Sequence, residues 1–418
     1  MSDDADDFIN FEKEFNRPGL LQLVSELRPE WGHPRFVTIK EGDSDSGAVF
    51  RIETPNRIIF LISFDGHPSR WAAYIPNNLS HEEYDHEGVE YCLSNERRTL
   101  EFLAKEAPHL PVPRIHAYSL TSDAPVDVPF LILDWIEGSS LEPFTDVWPP
   151  LALRRSLLDD LSDFLLDLWA CSVEGATDLH FWGNVCIDHF LRVDVPDGTP
   201  PGQGVSTEAW LTASLDRALR RNIRNRDIHK TIIYLVQRSM IPHMIVREYN
   251  HFRWVLAHFD LHAGNIIVDP HTLKLKGIID WNAGVALPLQ TAASWPKLLQ
   301  YIPGWVPPGF SNEFMEHPND KTIFLDMLRK KEHQRHGTEI YASVMESSYE
   351  RQFFEWSFHI KAAHDEWEKR HPPSKKDFIA ALDQLEIIWP RIDSEYHDHL
   401  IATRTELIHR LGDALRED

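Results

Sequence analysis

From residue 36 the chain runs in short apolar stretches broken by polar clusters: FVTIK, VFRIE, RIIFLISF and RWAAYIP, separated by GDSDSG, TPN and DGHPS. Runs of this length, rich in β-branched and aromatic residues and bounded by Gly, Pro, Asn and Asp, predict strands joined by turns. SHEEYDHEG predicts an exposed acidic loop. SNERRTLEFLAKEA then has helical spacing, with Leu100, Leu103 and Ala107 near one face and Glu96 at its opening. LPVPRIHAYS carries too many prolines for a helix, and PFLILDWIEG predicts a buried strand running into a turn at Gly138.

Beyond this point the period changes. Leu157, Leu158, Leu161, Phe164, Leu165, Leu168 and Trp169 recur at helical spacing and predict a core-facing helix. RALRRNIRNR, with Arg217, Arg220, Arg221, Arg224 and Arg226, predicts a solvated helix face. FIAALDQLEIIW and HLIATRTELIHRL are further amphipathic stretches. The pattern divides the chain into an acidic N-terminal extension with short helical character (1–30), a β-rich part (31–137) and a mainly helical part (138–418). The fold class expected is α+β.

Composition narrows the function classes. With 418 residues, 42% hydrophobic and 26% charged, the chain is long enough for two large lobes. Cys92, Cys171 and Cys186 are too few and too scattered for a disulfide framework or a zinc ribbon. A formal net charge of −23 argues against general binding to nucleic acid or an anionic membrane. No uncharged apolar run reaches the roughly 18 residues that span a bilayer, and MSDDADDFINFEKEF has no apolar signal core, so a cytoplasmic protein is expected.

The densest chemistry lies in HFDLHAGNIIVDPHTLKLKGIIDWNAG, from His258 to Gly284. IIV and LKLKGII read as two short strands with DPHT as the turn between them, Asp269 serving that turn. The loop before this hairpin presents Asp260 and Asn265, and its second strand delivers Asp280. Hard oxygen donors gathered at one end of a hairpin suit magnesium, which takes few protein ligands and completes its shell with water and phosphate oxygens.

The spacing His258-Phe-Asp260-Leu-His262-Ala-Gly-Asn265, followed by Asp280-Trp, is that of a kinase catalytic loop and its metal-holding Asp. In this form it resembles the aminoglycoside phosphotransferase and choline kinase-like family. PVPRI after the Glu96 helix, FLILDWIEGSSL, Pro288 and the WPKLL segment extend the likeness over roughly Phe36 to Leu299.

The resemblance implies a bilobal protein-kinase-like fold, with a small β-rich N-lobe and a larger helical C-lobe. It also implies ATP and Mg2+ as cofactors and a small-molecule hydroxyl as acceptor. Asp260 would orient the acceptor and take its proton, while Asn265 and Asp280 would hold the metal. Glu96 and the hinge residues Asp134, Trp135 and Ile136 would serve the nucleotide. His258 would brace the loop, and His262 would lie near the phosphates.

One departure stands out. Such folds pair a strand lysine, sometimes an arginine, with the helix glutamate, yet between Lys40 and Lys105 there is no lysine. RWAAYIP puts Tyr74 at the expected position, which leaves Lys40 or Arg57 to hold the phosphates. EGDSDSG is an imperfect glycine-rich loop, with Asp43 and Asp45 set to repel phosphate. Two other readings therefore stay open. One is a pseudokinase-like binding protein with weak or no catalysis. The other is a metal-dependent hydrolase using the His-x-Asp-x-His triplet.

Overall fold

The computed structural model describes residues 15–38, 49–54, 57–76, 86–142, 149–171, 173, 206–300, 318–358 and 360–416. The strands are β1 (Pro34–Phe36), β2 (Arg51–Glu53), β3 (Arg57–Phe64), β4 (Arg70–Pro76), β5 (Ile115–Ser119), β6 (Phe130–Asp134), β7 (Ser139–Ser140), β8 (Trp254–His258), β9 (Ile266–Val268), β10 (Leu275–Ile278) and β11 (Gly284–Pro288). The first helices are α1 (Arg17–Leu27), α2 (His86–Glu106), α3 (Leu151–Ala170), α4 (Thr207–Arg224), α5 (Ile228–Met244) and α6 (Leu289–Ala292). They are followed by α7 (Pro318–His336), α8 (Ile340–Glu346), α9 (Tyr349–Trp356), α10 (Lys361–Arg370), α11 (Lys375–Ile388) and α12 (His397–Ala414). A β-rich part followed by a helix-rich part is the α+β class expected.

The described residues form two compact units. One gathers those up to Glu142 together with Gly264–Gly284, and the other holds the rest. In the first, β1, β3, β4, β6 and β5 lie side by side in that order, with β2 also on β3, and every pairing is antiparallel. RIIFLISF and RWAAYIP form β3 and β4 over the full length of each motif, in register from Arg57↔Pro76 to Ser63↔Arg70. One face of this sheet buries Ile58, Phe60, Ile62, Trp71, Ala73 and Ile75.

Phe15, Leu20 and Val24 pack into the same core, so the acidic extension, read with short helical character, contributes an amphipathic helix, α1, from Arg17 onward. One difference concerns α2. It starts at His86, so Glu96 stands in mid-helix rather than at its opening, and His86–Gly88 of the expected acidic loop are helical. The sequence signal fails there because a run of Glu, Asp and His has no apolar periodicity to read.

A second, three-stranded sheet has the order β10-β9-β7. The β9–β10 hairpin is the one read from IIV and LKLKGII, with Ile278↔Ile266 and Leu275↔Val268 as partners. Its turn is set by Asp269, whose Oδ1 accepts from His271 N (3.1 Å), Thr272 N (3.0 Å) and Thr272 Oγ1 (3.0 Å). Short β7 can lie on β9 because Gly138 precedes it at φ +155°. A Cβ there would stand 2.6 Å from Val268 O and 2.7 Å from Ile267 Cγ2.

In the second unit β8 pairs with β11. The leucine stripe of α3 is buried as read, and Lys331 and Arg335 of α7 pair with Asp163 and Asp167 on α3. Arg154 holds the fully buried Asp320 through two bonds, Nε at 2.8 Å and a terminal nitrogen at 3.0 Å. Arg220, Arg221, Arg224 and Arg226 are exposed, which agrees with a solvated helix face. Among the described residues no helix is long and apolar enough to cross a membrane.

Gly138→Ala is expected to destabilise the first unit by about 1–3 kcal/mol, because the backbone must shift away from Val268 O at a dihedral that L residues avoid. Urea unfolding followed by tryptophan fluorescence checks this. An unchanged transition midpoint would mean that β7 does not depend on this close approach.

Candidate functional site

Two clusters of polar side chains carry the chemistry, one in each unit. In the first, α2 and the segment after β10 are bound together. Asn95 Nδ2 donates to Asn282 O (2.6 Å) and Gly284 O (3.1 Å), while Trp281 N donates to Glu96 Oε1 (3.2 Å). Trp281 is fully buried, and its ring nitrogen donates to Ile278 O at 3.0 Å. These contacts fix Asp280, which adopts the left-handed backbone conformation (φ 66°, ψ 58°). Asn265 is buried, and its carbonyl accepts from Ile279 N at 3.0 Å, so Asn265 and Asp280 stand together at the open end of the hairpin.

Arg57, at the start of β3, reaches both acids of this cluster. It donates to Glu96 Oε2 at 2.8 Å and to Asp280 Oδ1 at 2.7 Å. Arg57 and Glu96 are both buried, and the guanidinium lies 4.9 Å from the centre of the Tyr74 ring. Burial works against the Arg57 charge, yet Asp280 and then Glu96 outweigh it and push its pKa up. Burial pushes Glu96 up, with Arg57 the main opposing influence. Tyr74 is raised by burial and by Glu96, which keeps its hydroxyl protonated.

The cation opposite the helix glutamate is therefore Arg57, and the expectation that this position falls at Tyr74 is corrected. The strand assignment was one strand late: Tyr74 lies on β4, paired with Ile59, and offers its ring to the guanidinium. Lys40 and the EGDSDSG loop lie outside the described residues.

Of the three residues expected to form the hinge, Asp134 ends β6 and Trp135 and Ile136 follow it. Asp134 Oδ1 is 2.6 Å from His116 Nε2, and Asp134 Oδ2 accepts from Arg114 N at 3.2 Å. His116 stacks on buried Trp71 with ring centres 4.0 Å apart. Trp135 N donates to Arg70 O at 3.0 Å, and its ring meets Phe50 edge-on at 6.0 Å. Ile136 lies against Gly277 of β10 so closely that a Cβ there would sit 2.3 Å from Ile136 Cδ1.

The second unit holds Asp260, just after β8. Its Oδ1 accepts from Lys297 Nζ at 2.5 Å, and its Oδ2 lies 3.6 Å from His262 Nε2. Lys297 is almost fully buried, with its ammonium 4.2 Å from the centre of the Trp356 ring; Phe259 stacks on the same tryptophan at 5.6 Å. Burial pushes the Asp260 carboxyl up, but Lys297, His262 and His258 together bring it below the usual aspartate range. Lys297 was not singled out from sequence. Its signal was a lone charge in the apolar run WPKLL, which predicts a buried and paired group.

Among the described residues no group of three or more His, Cys, Asp or Glu side chains is arranged to hold a metal ion. An amide and a carboxylate at neighbouring backbone positions, as at Asn265 and Asp280, are hard donors of the kind magnesium takes alongside phosphate oxygens.

Residues 84–291 match the family model described as phosphotransferase enzyme family. Subtelomeric hrmA-associated cluster proteins from two strains of Aspergillus fumigatus are 24% identical over 280 residues, half of this chain. The chain spans about half of the length of these curated relatives, 53%. Among solved structures, the gentamicin complex of APH(2")-IIa is similar at a TM-score of 0.46 and 12% identity, covering 93% of this chain and 95% of that one. The ADP-bound aminoglycoside phosphotransferase APH(2'')-Ib is similar at 0.44 and 14%, covering 92% and 96%.

Arg57→Ala is expected to destabilise the first unit by about 3–5 kcal/mol, since it leaves Glu96 buried without its counter-charge. Arg57→Met combined with Glu96→Leu should recover part of that loss. Urea unfolding of both variants checks this, and equal destabilisation by the single and double changes would contradict it.

Proposed function

Because this chain belongs to the phosphotransferase enzyme family, we propose that it transfers the γ-phosphoryl group of ATP, with Mg2+, to a hydroxyl of a small molecule. The observation that carries this reading is the Arg57–Glu96–Asp280 set, built onto the hairpin that also holds Asn265. Phosphoryl transfer asks a protein for positioning and charge neutralisation more than for covalent chemistry. A fixed guanidinium, two oxygen donors for a metal and one ionised carboxylate are the parts required.

Asp260 orients the acceptor hydroxyl and takes its proton. Its lowered pKa keeps it ionised at neutral pH, and Lys297 on Oδ1 directs the hydroxyl to Oδ2. Asn265 and Asp280 would hold Mg2+, which when bound supplies positive charge to the phosphate oxygens. Arg57 stands in for the strand lysine, Glu96 holds it in place, and Asp134–Ile136 serve the nucleotide base. Lys40, outside the described residues, is the other cation expected to reach the phosphates. The missing lysine was the main support for a pseudokinase-like reading, and Arg57 supplies the cation it called for.

The same reading puts the protein in the cytoplasm, away from membranes and nucleic acid.

Asp260→Asn should abolish ADP release from Mg-ATP across a panel of hydroxyl metabolites and aminoglycosides, while nucleotide affinity stays within a few-fold. Full turnover in that variant would overturn the role. Asp280→Ala should remove magnesium-dependent nucleotide binding, because the metal would lose its carboxylate ligand and the phosphate charge would go uncompensated. Calorimetry showing unchanged Mg-ATP affinity would contradict it.

A further inference from the structure

The second unit contains a cavity walled by the residues on either side of Asp260, Phe259 and Leu261, together with Trp169, Trp295 and Trp356. Two buried side-chain oxygens of its lining have no partner among the described residues: Thr291 Oγ1 and Gln352 Oε1. Thr291 is 3% exposed and Gln352 7%. The Gln352 amide is not free to turn, because its Nε2 donates to Trp295 O at 3.0 Å, which commits Oε1 to the other side. Native interiors rarely leave two such oxygens bare in one cavity, and both are satisfied by a group that donates hydrogen bonds.

The charges around the cavity decide what kind of donor enters. Lys297, in the lining, is already neutralised by Asp260. Glu355, also in the lining, accepts from Trp210 Nε1 at 3.2 Å. Burial raises it to about 7, against the Trp210 bond and buried Arg351 one turn away on α9. Asp260 is thus paired with Lys297, and burial drives Glu355 toward its uncharged form, so little negative charge is left over for an incoming ammonium. A hydroxyl can donate to Gln352 Oε1 and exchange bonds with Thr291 Oγ1 without a counter-charge. The aromatic walls suit the carbon side of such a group.

We propose that this cavity is a subsite for an uncharged, hydroxyl-bearing arm of the acceptor, a polyol or sugar edge rather than an amine. The use of the site rests on the phosphotransferase reading of Asp260; the binding itself does not.

The test is a saturation-transfer NMR titration of the full chain with a matched pair, glycerol and 2-amino-1,3-propanediol, without nucleotide. Glycerol should bind at least about ten-fold more tightly. Thr291→Val, which removes only an unpartnered hydroxyl, should keep the melting temperature and weaken glycerol about two- to ten-fold. Gln352→Met should weaken it similarly, and serves if the first variant fails to fold. Equal or tighter binding of the amine overturns the proposal, as does wild-type affinity in both variants or no binding of either probe. Glycerol binding without ADP formation for any acceptor would sink the catalytic reading and leave the subsite standing.

Discussion

A guanidinium removed from water needs its counter-charges held rigidly in place, and Arg57 obtains them from two points far away in sequence. Glu96 comes from the middle of α2 and Asp280 from the end of the β9–β10 hairpin, so one side chain ties strand, helix and hairpin together. The geometry around it follows from that demand. Glu96 gives its other oxygen to Trp281 N, Asn95 holds the two carbonyls beyond, and Trp281 fills the space beneath. Taking a buried ion pair out of water is unfavourable by itself, so such a pair persists when its remaining hydrogen-bonding capacity is met, as it is here.

What could be read in the sequence was what depends on neighbours along the chain. RIIFLISF, RWAAYIP and the IIV hairpin have apolar periods that name their elements, and the leucine stripe names α3. The positions of Asp260, Asn265 and Asp280 on a loop and a hairpin could be read because a loop and a hairpin are local objects. The partner of Glu96 was not local. Arg57 and Tyr74 both lie in strands of similar character, and only the pairing of β3 with β4 shows which one faces the glutamate. The same holds for Lys297, whose carboxylate lies 37 residues earlier. The start of α2 was hidden for a different reason, since an acidic stretch can be helix or loop with equal polarity.

Asp260 and the cavity beside it express one physical theme. The carboxylate keeps its charge despite burial because an ammonium, itself stacked on Trp356, is fastened to one of its oxygens. In the cavity wall burial drives Glu355 toward its neutral form instead, so the region is polar without carrying a large net charge. A site of this kind discriminates through hydrogen-bond geometry more than through long-range attraction, although the chain as a whole is strongly acidic.

The left-handed backbone at Asp280 has a consequence for which residues this position can host over evolutionary time. Left-handed conformations are several-fold enriched in Asn and Asp among residues with side chains, whose short polar groups can bond locally. Glutamate keeps the charge but lacks that conformational ease and sets its carboxylate one methylene further out. Asparagine keeps the backbone and gives up the charge that Arg57 requires. The position is therefore screened twice, by chirality and by electrostatics, and aspartate is the residue that passes both. Lineages drifting in sequence around it would be expected to vary the strands first and this residue last.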